Sequence, residues 1–92
     1  MVECEIDFSF CKSHGISIAN VYRSLKQAMN SNRWYKTEDY LIWKRDHVIR
    51  AEDAHTSIST IIHQIADQFS QGDPGIFSKV HVRQYFTPIV IR

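Results

Sequence analysis

Val2, Cys4, Ile6, Phe8 and Phe10 alternate with Glu3, Glu5, Asp7 and Ser9, a period of two that an extended strand converts into one apolar and one polar face. The spacing predicts a half-buried strand over residues 2–10. Its three carboxylates then point the same way at ~7 Å intervals. The apolar face needs cover, and two helical stripes further along can supply it.

The first stripe is Ile18, Val21, Tyr22, Leu25 and Met29, with Ser17 placed to cap it after the turn-like residues 12–15. It fades into Asn30, Ser31 and Asn32. The second is Ile58, Ile61, Ile62, Ile65 and Phe69, with Glu52 or Asp53 as its expected cap and Gly72 and Pro74 as its stop.

Between the stripes, residues 34–50 are rich in aromatic and β-branched side chains. Thr37-Glu38-Asp39 can turn a hairpin between residues 33–36 and 40–44. A turn at Arg45-Asp46, pairing 41–44 with 47–50, is equally drawable, and no Asn-Gly pair decides between them. Val80 and Val82 then alternate with His81 and Arg83. Pro88 has no N–H for a ladder, so residues 86–91 are not expected to continue as an unbroken interior strand. Cover for Ile89, Val90 and Ile91 is expected from a partner's sheet edge, and with it a homodimer.

The order β-α-β-β-α-β predicts an α+β fold of ferredoxin-like type, a single domain over 1–92 with both helices on one face of an antiparallel sheet. In that topology the first strand is central. Glu3, Glu5 and Asp7 share the sheet's open face with His81 and Arg83.

Ninety-two residues allow one small core, and 43% hydrophobic residues against 23% charged is the composition of a chain that folds. A net charge of +1 argues against a polybasic binder working by bulk electrostatics. No apolar run approaches ~18 residues, so no membrane span is expected. Residues 1–10 lack the positive start of a secretory signal. Cys4 and Cys11 are not at zinc-site spacing. A reduced, cytoplasmic protein is therefore expected.

The even total hides a patchwork. Residues 12–50 carry eight Lys and Arg against three acidic residues, interleaved with Trp34, Tyr35, Tyr40 and Trp43. That composition suits a surface that stacks bases and neutralises phosphates; it equally suits core and interface aromatics beside solvated charges. The carboxylates near His81 and Arg83 can bind a divalent ion, orient a water or stabilise charge on a phosphate. They can also form cross-strand ion pairs on a polar face. His55 and His63, eight apart, are two helical turns from each other and cannot chelate one ion. No serine or cysteine nucleophile motif, phosphate loop or dinucleotide fingerprint is present.

Several short motifs together resemble the virulence-associated protein D family, small toxin-type ribonucleases built on a ferredoxin-like dimer. Ile6-Asp7-Phe8 is similar to the family's strand-ending element with its aspartate near position seven. Tyr22-Arg23-Ser24-Leu25 resembles its first helix. Trp34-Tyr35-Lys36-Thr37 and Tyr40-Leu41-Ile42-Trp43 look like its aromatic and apolar strands, and Tyr85-Phe86-Thr87-Pro88-Ile89-Val90 its close. Glu38-Asp39-Tyr40 departs from the family's Q-G-S turn, so no role is carried over there.

The resemblance implies an endoribonuclease acting as a homodimer, with Asp7 as catalytic residue and ligand of a divalent cation such as Mg. Lys36, Lys44, His81 and Arg83 are the expected RNA contacts. RNA, a second copy and a cognate antitoxin or toxin protein are the expected partners. The rival expectation is a non-catalytic module: an antitoxin, immunity or inhibitor protein, or a small-ligand-sensing domain on the same frame.

Overall fold

The computed structural model describes residues 1–39, 41–45, 49–84 and 87–90, with side chains described as far as Val82. The elements run β1 (Val2–Ile6), α1 (Phe8–Ser13), α2 (Ile18–Ser31), β2 (Trp34–Lys36), β3 (Ile42–Arg45), α3 (Ala51–Ser70), a 3-10 turn (Pro74–Ile76), β4 (Phe77–Gln84) and β5 (Thr87–Val90). The sheet is antiparallel in the order β2-β3-β1-β4-β5. The protein is thus α+β, compatible with a ferredoxin-like type. It departs from the expected β-α-β-β-α-β order by a fifth strand and an extra short helix.

β1 is central, as the alternation requires, with Val2, Cys4 and Ile6 buried. They pack with Val80 and Val82 of β4 and the two tryptophans, Trp34 and Trp43, against Val21, Leu25 and Met29 of α2 and Ile58, Ile61, Ile62 and Ile65 of α3. α2 starts where expected: the Ser17 hydroxyl accepts from the Asn20 N–H at 3.3 Å. α3 starts differently. Arg50 is its N-cap without a side-chain hydrogen bond, and Glu52 and Asp53 fall in the first turn, where their charge complements the free N–H groups. It ends at Gln71 in the left-handed conformation (φ 54°), followed by Gly72 at φ 86°.

The strand expected over residues 2–10 stops at Ile6. Asp7 accepts from the Phe10 N–H through Oδ1 at 2.9 Å and so caps a helix instead. Its own N–H donates to the Ile76 carbonyl at 2.8 Å, which fixes where β1 gives way. The 3-10 turn then packs on α1 so closely that a Cβ on Gly75 would come within 3.0 Å of the Phe10 ring. Asp-Phe-Ser-Phe satisfies the strand pattern and the cap pattern equally, and the contact with Ile76 selects the cap.

The hairpin takes the first of the two drawable registers: Trp34 pairs with Arg45, Tyr35 with Lys44 and Lys36 with Trp43. The Asp39 carboxylate closes the turn by accepting from the Leu41 N–H at 2.9 Å. Tyr40 of the expected strand and Asp46, His47 and Val48 of the second drawable turn lie outside the described residues. Thr87–Val90 pairs antiparallel with β4 as β5, with Pro88 opposite Arg83. β5 is an edge strand, where a missing N–H is tolerated. Ile91 lies outside the described residues. Among those described, no helix is long and apolar enough to cross a membrane.

Candidate functional site

On the open face, β1 and β4 set Glu3 opposite His81 and Glu5 opposite Lys79. Glu3 lies 3.7 Å from His81 Nδ1 and 3.9 Å from Lys79 Nζ. Glu5 accepts from the Ser78 hydroxyl at 2.7 Å. These are the cross-strand pairs that a polar sheet face makes. His81 therefore meets Glu3, while Asp7 lies past the end of β1 as the N-cap of α1.

The other expected RNA contacts are dispersed. Lys44 is exposed beside Tyr35. Lys36 is on the opposite side of the hairpin, with Nζ 5.4 Å from the Trp43 ring centroid and donating to the Asp39 carbonyl at 2.8 Å. Burial of its ammonium lowers its pKa, against the opposing pull of the Asp39 carboxylate and the Cys4 thiol. Arg83 lies in β4 opposite Pro88, and its side chain is outside those described. Trp43 pairs with Val2, which puts Lys44 level with Met1. Lys44 is then six residues from Asp7 along β1, roughly 20 Å at ~3.3 Å per residue.

Asp7 stands at the mouth of a cleft of about 540 Å³, which patterning did not reveal. Its cause is a mismatch in strand pairing. β1 pairs with β4 as far as Ile6, but with β3 only as far as Glu3, after which Cys4 N–H donates to the Leu41 carbonyl at 2.8 Å. Beyond that point the chain of β3 has turned away toward residues 37–41. The space beside the last residues of β1 is walled by Cys4, Ile6, Leu41 and Trp43 from the sheet side and Ile18, Ala19, Tyr22 and Leu25 from α2. Glu5, Asp7, Ser9 and Ser78 supply its polar rim, and Phe8, 57% exposed, stands at its edge.

Among the described residues, no three of His, Cys, Asp and Glu converge as a metal site. Both cysteines are free and buried. Burial pushes the Cys4 thiol up to about 12, with Lys36 pulling weakly the other way. Cys11 is raised too, by burial first and the Asp7 carboxylate second. Burial and the raised pKa both disfavour the thiolate at neutral pH.

The raised Cys4 makes a stability prediction. Below its ordinary value of 9.0 the thiol is protonated whether the chain is folded or not. Above it the unfolded chain ionises while the folded chain does not, so stability falls as pH rises from about 9 toward 12. Denaturant titrations across that window are expected to show a shallower loss for Cys4→Val than for the wild type. Equal slopes would mean that other groups carry the alkaline sensitivity.

Comparison of the chain with family models, curated proteins and solved structures returns no match.

Proposed function

We propose that this protein is an RNA-cleaving endoribonuclease of toxin type that acts as a homodimer through Asp7. The observation that carries the reading is the placement of that carboxylate. It sits half-exposed past the end of the central strand, fixed by a backbone hydrogen bond on one side and a cap on the other. The described cap contact engages Oδ1, and the second oxygen is the group assigned to orient the attacking group at a phosphodiester.

The separation of parts supports the homodimer. Lys44 and Asp7 lie toward opposite ends of β1, so a two-fold copy is the economical way to bring one protomer's basic hairpin toward the other's carboxylate. A divalent cation such as Mg would take the Asp7 carboxylates of the two copies among its ligands. Lys36, Lys44, His81 and Arg83 serve as backbone contacts in this reading, with Tyr35 as an exposed stacking surface. A cognate antitoxin or toxin and a cytoplasmic location belong to the same proposal.

One observation favours the non-catalytic alternative: Glu3, His81 and Lys79 already satisfy one another on the open face. The test is incubation of purified protein with single-stranded RNA in chelator, Mg and Mn, with the oligomeric state measured by light scattering. Cleavage by a dimer that Asp7→Ala abolishes is the expected result. Intact RNA under all three conditions overturns the catalytic reading, and a monomer that cleaves overturns the dimer.

A further inference from the structure

The end of β1 turns one backbone donor and one backbone acceptor toward the cleft. Along a strand, successive residues send their N–H and C=O groups to opposite edges. Cys4 faces β3, since its N–H donates to the Leu41 carbonyl at 2.8 Å, and Asp7 faces the other edge, donating to the Ile76 carbonyl. Ile6 therefore shares the β3 edge with Cys4, and there β3 has stopped: its pairing with β1 ends at Glu3. The return bond to the Cys4 carbonyl is missing too, because the Leu41 N–H donates to the Asp39 carboxylate at 2.9 Å. Among the described residues, neither the Ile6 N–H nor the Cys4 carbonyl has another partner.

Both residues line the cleft, whose volume of about 540 Å³ is that of a small-molecule site and whose walls are mainly aliphatic and aromatic. Buried backbone groups are nearly always paired, so this open edge marks where a ligand's own acceptor and donor belong. A single donor and acceptor are too few for strand addition by a peptide. They suit one flat heterocycle that carries a donor beside an acceptor. The charges nearby are mixed, with Glu5 and Asp7 on the rim and the Lys36 ammonium 5.4 Å from the ring centroid of Trp43, a wall residue. They single out no ionic ligand.

We propose that the cleft is a base subsite for the RNA of the proposed cleavage reaction, and that it takes an unstacked adenine or cytosine. Each of these bases has an exocyclic amino group beside a ring nitrogen that accepts. The amino group donates to the Cys4 carbonyl, and the ring nitrogen accepts from the Ile6 N–H. The second amino N–H meets the carboxylate-bearing rim of Glu5 and Asp7, which uracil, with no amino group, does not use. The ring packs between Ile6, Leu25 and Tyr22. Asp7 follows Ile6 in the chain, so a base held there leaves its phosphate at the mouth, beside the carboxylate assigned to the attack. The choice of a base among flat heterocycles rests on the RNA-cleaving proposal; the open edge of Cys4 and Ile6 does not.

The test is titration of adenosine and of cytidine into the wild-type protein, followed through its backbone amide resonances. Each is expected to bind one per chain and to move the Ile6 amide proton downfield, as an N–H that gains an acceptor does. Uridine, and adenosine dimethylated on its amino group, are each expected to bind at least ~10-fold more weakly. A single-stranded oligoadenylate RNA is expected to displace bound adenosine at a lower concentration than free adenosine does. Ala19 is exposed in the first turn of α2 and lines the cleft. Ala19→Trp is therefore expected to plug the site and weaken adenosine at least ~10-fold without altering the fold by circular dichroism.

Four results overturn the proposal: adenosine or cytidine failing to bind saturably, an unmoved Ile6 amide at saturation, equal affinity for uridine or the dimethylated adenosine, or full-affinity binding by folded Ala19→Trp. An oligoadenylate that fails to displace adenosine overturns the assignment to RNA. Nucleoside binding needs no cleavage, so failure of the subsite and failure of the RNA-cleaving proposal are read separately.

Discussion

Asp7→Asn is expected to melt close to the wild type while losing RNA cleavage by at least ~100-fold. Asp7 has two separable jobs in the proposed enzyme. As a cap, it accepts from the Phe10 N–H at 2.9 Å, and asparagine caps a helix about as well as aspartate. As the group that orients the attacking atom it needs its charge, which asparagine lacks. Asp7→Ala removes both and is expected to lose ~1 kcal/mol in addition, about 4–8 °C in a domain of this size. Thermal melts beside gel-based cleavage of the same RNA separate the two jobs. Asp7→Asn cleaving at the wild-type rate with a native melt would leave Asp7 a cap and nothing more.

The largest stability effect is expected at Trp34. It stands in β2, one of the sheet's two edge strands, 1% exposed, tied to α3 through Ser57 and covered by the Arg45 guanidinium 5.5 Å from its ring centroid. Arg45 is anchored in turn by donating to the Asn32 carbonyl at 2.6 Å. Trp34→Ala empties a ring-sized volume between a three-residue strand and the longest helix, at a cost of ~3–5 kcal/mol. Folded domains of this length are stable by about 5–14 kcal/mol, so roughly a fifth or more of the total is at stake. The melting temperature is expected to drop by roughly 15–30 °C. Trp34→Phe retains most of the packing and gives up the Ser57 bond, a loss of ~1 kcal/mol for the hydrogen bond itself. A Trp34→Ala protein melting within ~5 °C of the wild type would show that β2 contributes little to cooperative stability.

Much of the fold was legible because local periodicity is a property of the backbone. Ile18, Val21, Leu25 and Met29 can share a face on a helix, and the side chain of Ser17 satisfies a free N–H whatever lies beyond. The cap of α3 was misplaced because Glu52 and Asp53 stabilise a first turn by charge as well as a cap does by hydrogen bonding. The polar face of β1 was legible too, and so was its pairing with β4. What Glu3 does there was not: whether a carboxylate meets a cation or a substrate depends on a register that brings residue 81 opposite residue 3.

The candidate site was less legible. Phe8 and Phe10 extend the strand's alternation without interruption, yet Phe8 ends up 57% exposed on a helix. The cleft left no pattern in the sequence, because it arises from β3 ending its pairing with β1 earlier than β4 does.

By itself, then, the sequence determined the central strand's two faces, both long helices and the sheet's place beneath them. These are consequences of spacing along one chain, and the backbone enforces them within a few residues. Tertiary structure alone decided that Asp7 leaves the strand, that Thr87–Val90 pairs as an edge strand and that a cavity opens beside Trp43. Each of those turns on where two strands distant in sequence stop pairing, an energy shared between segments that neither contains alone.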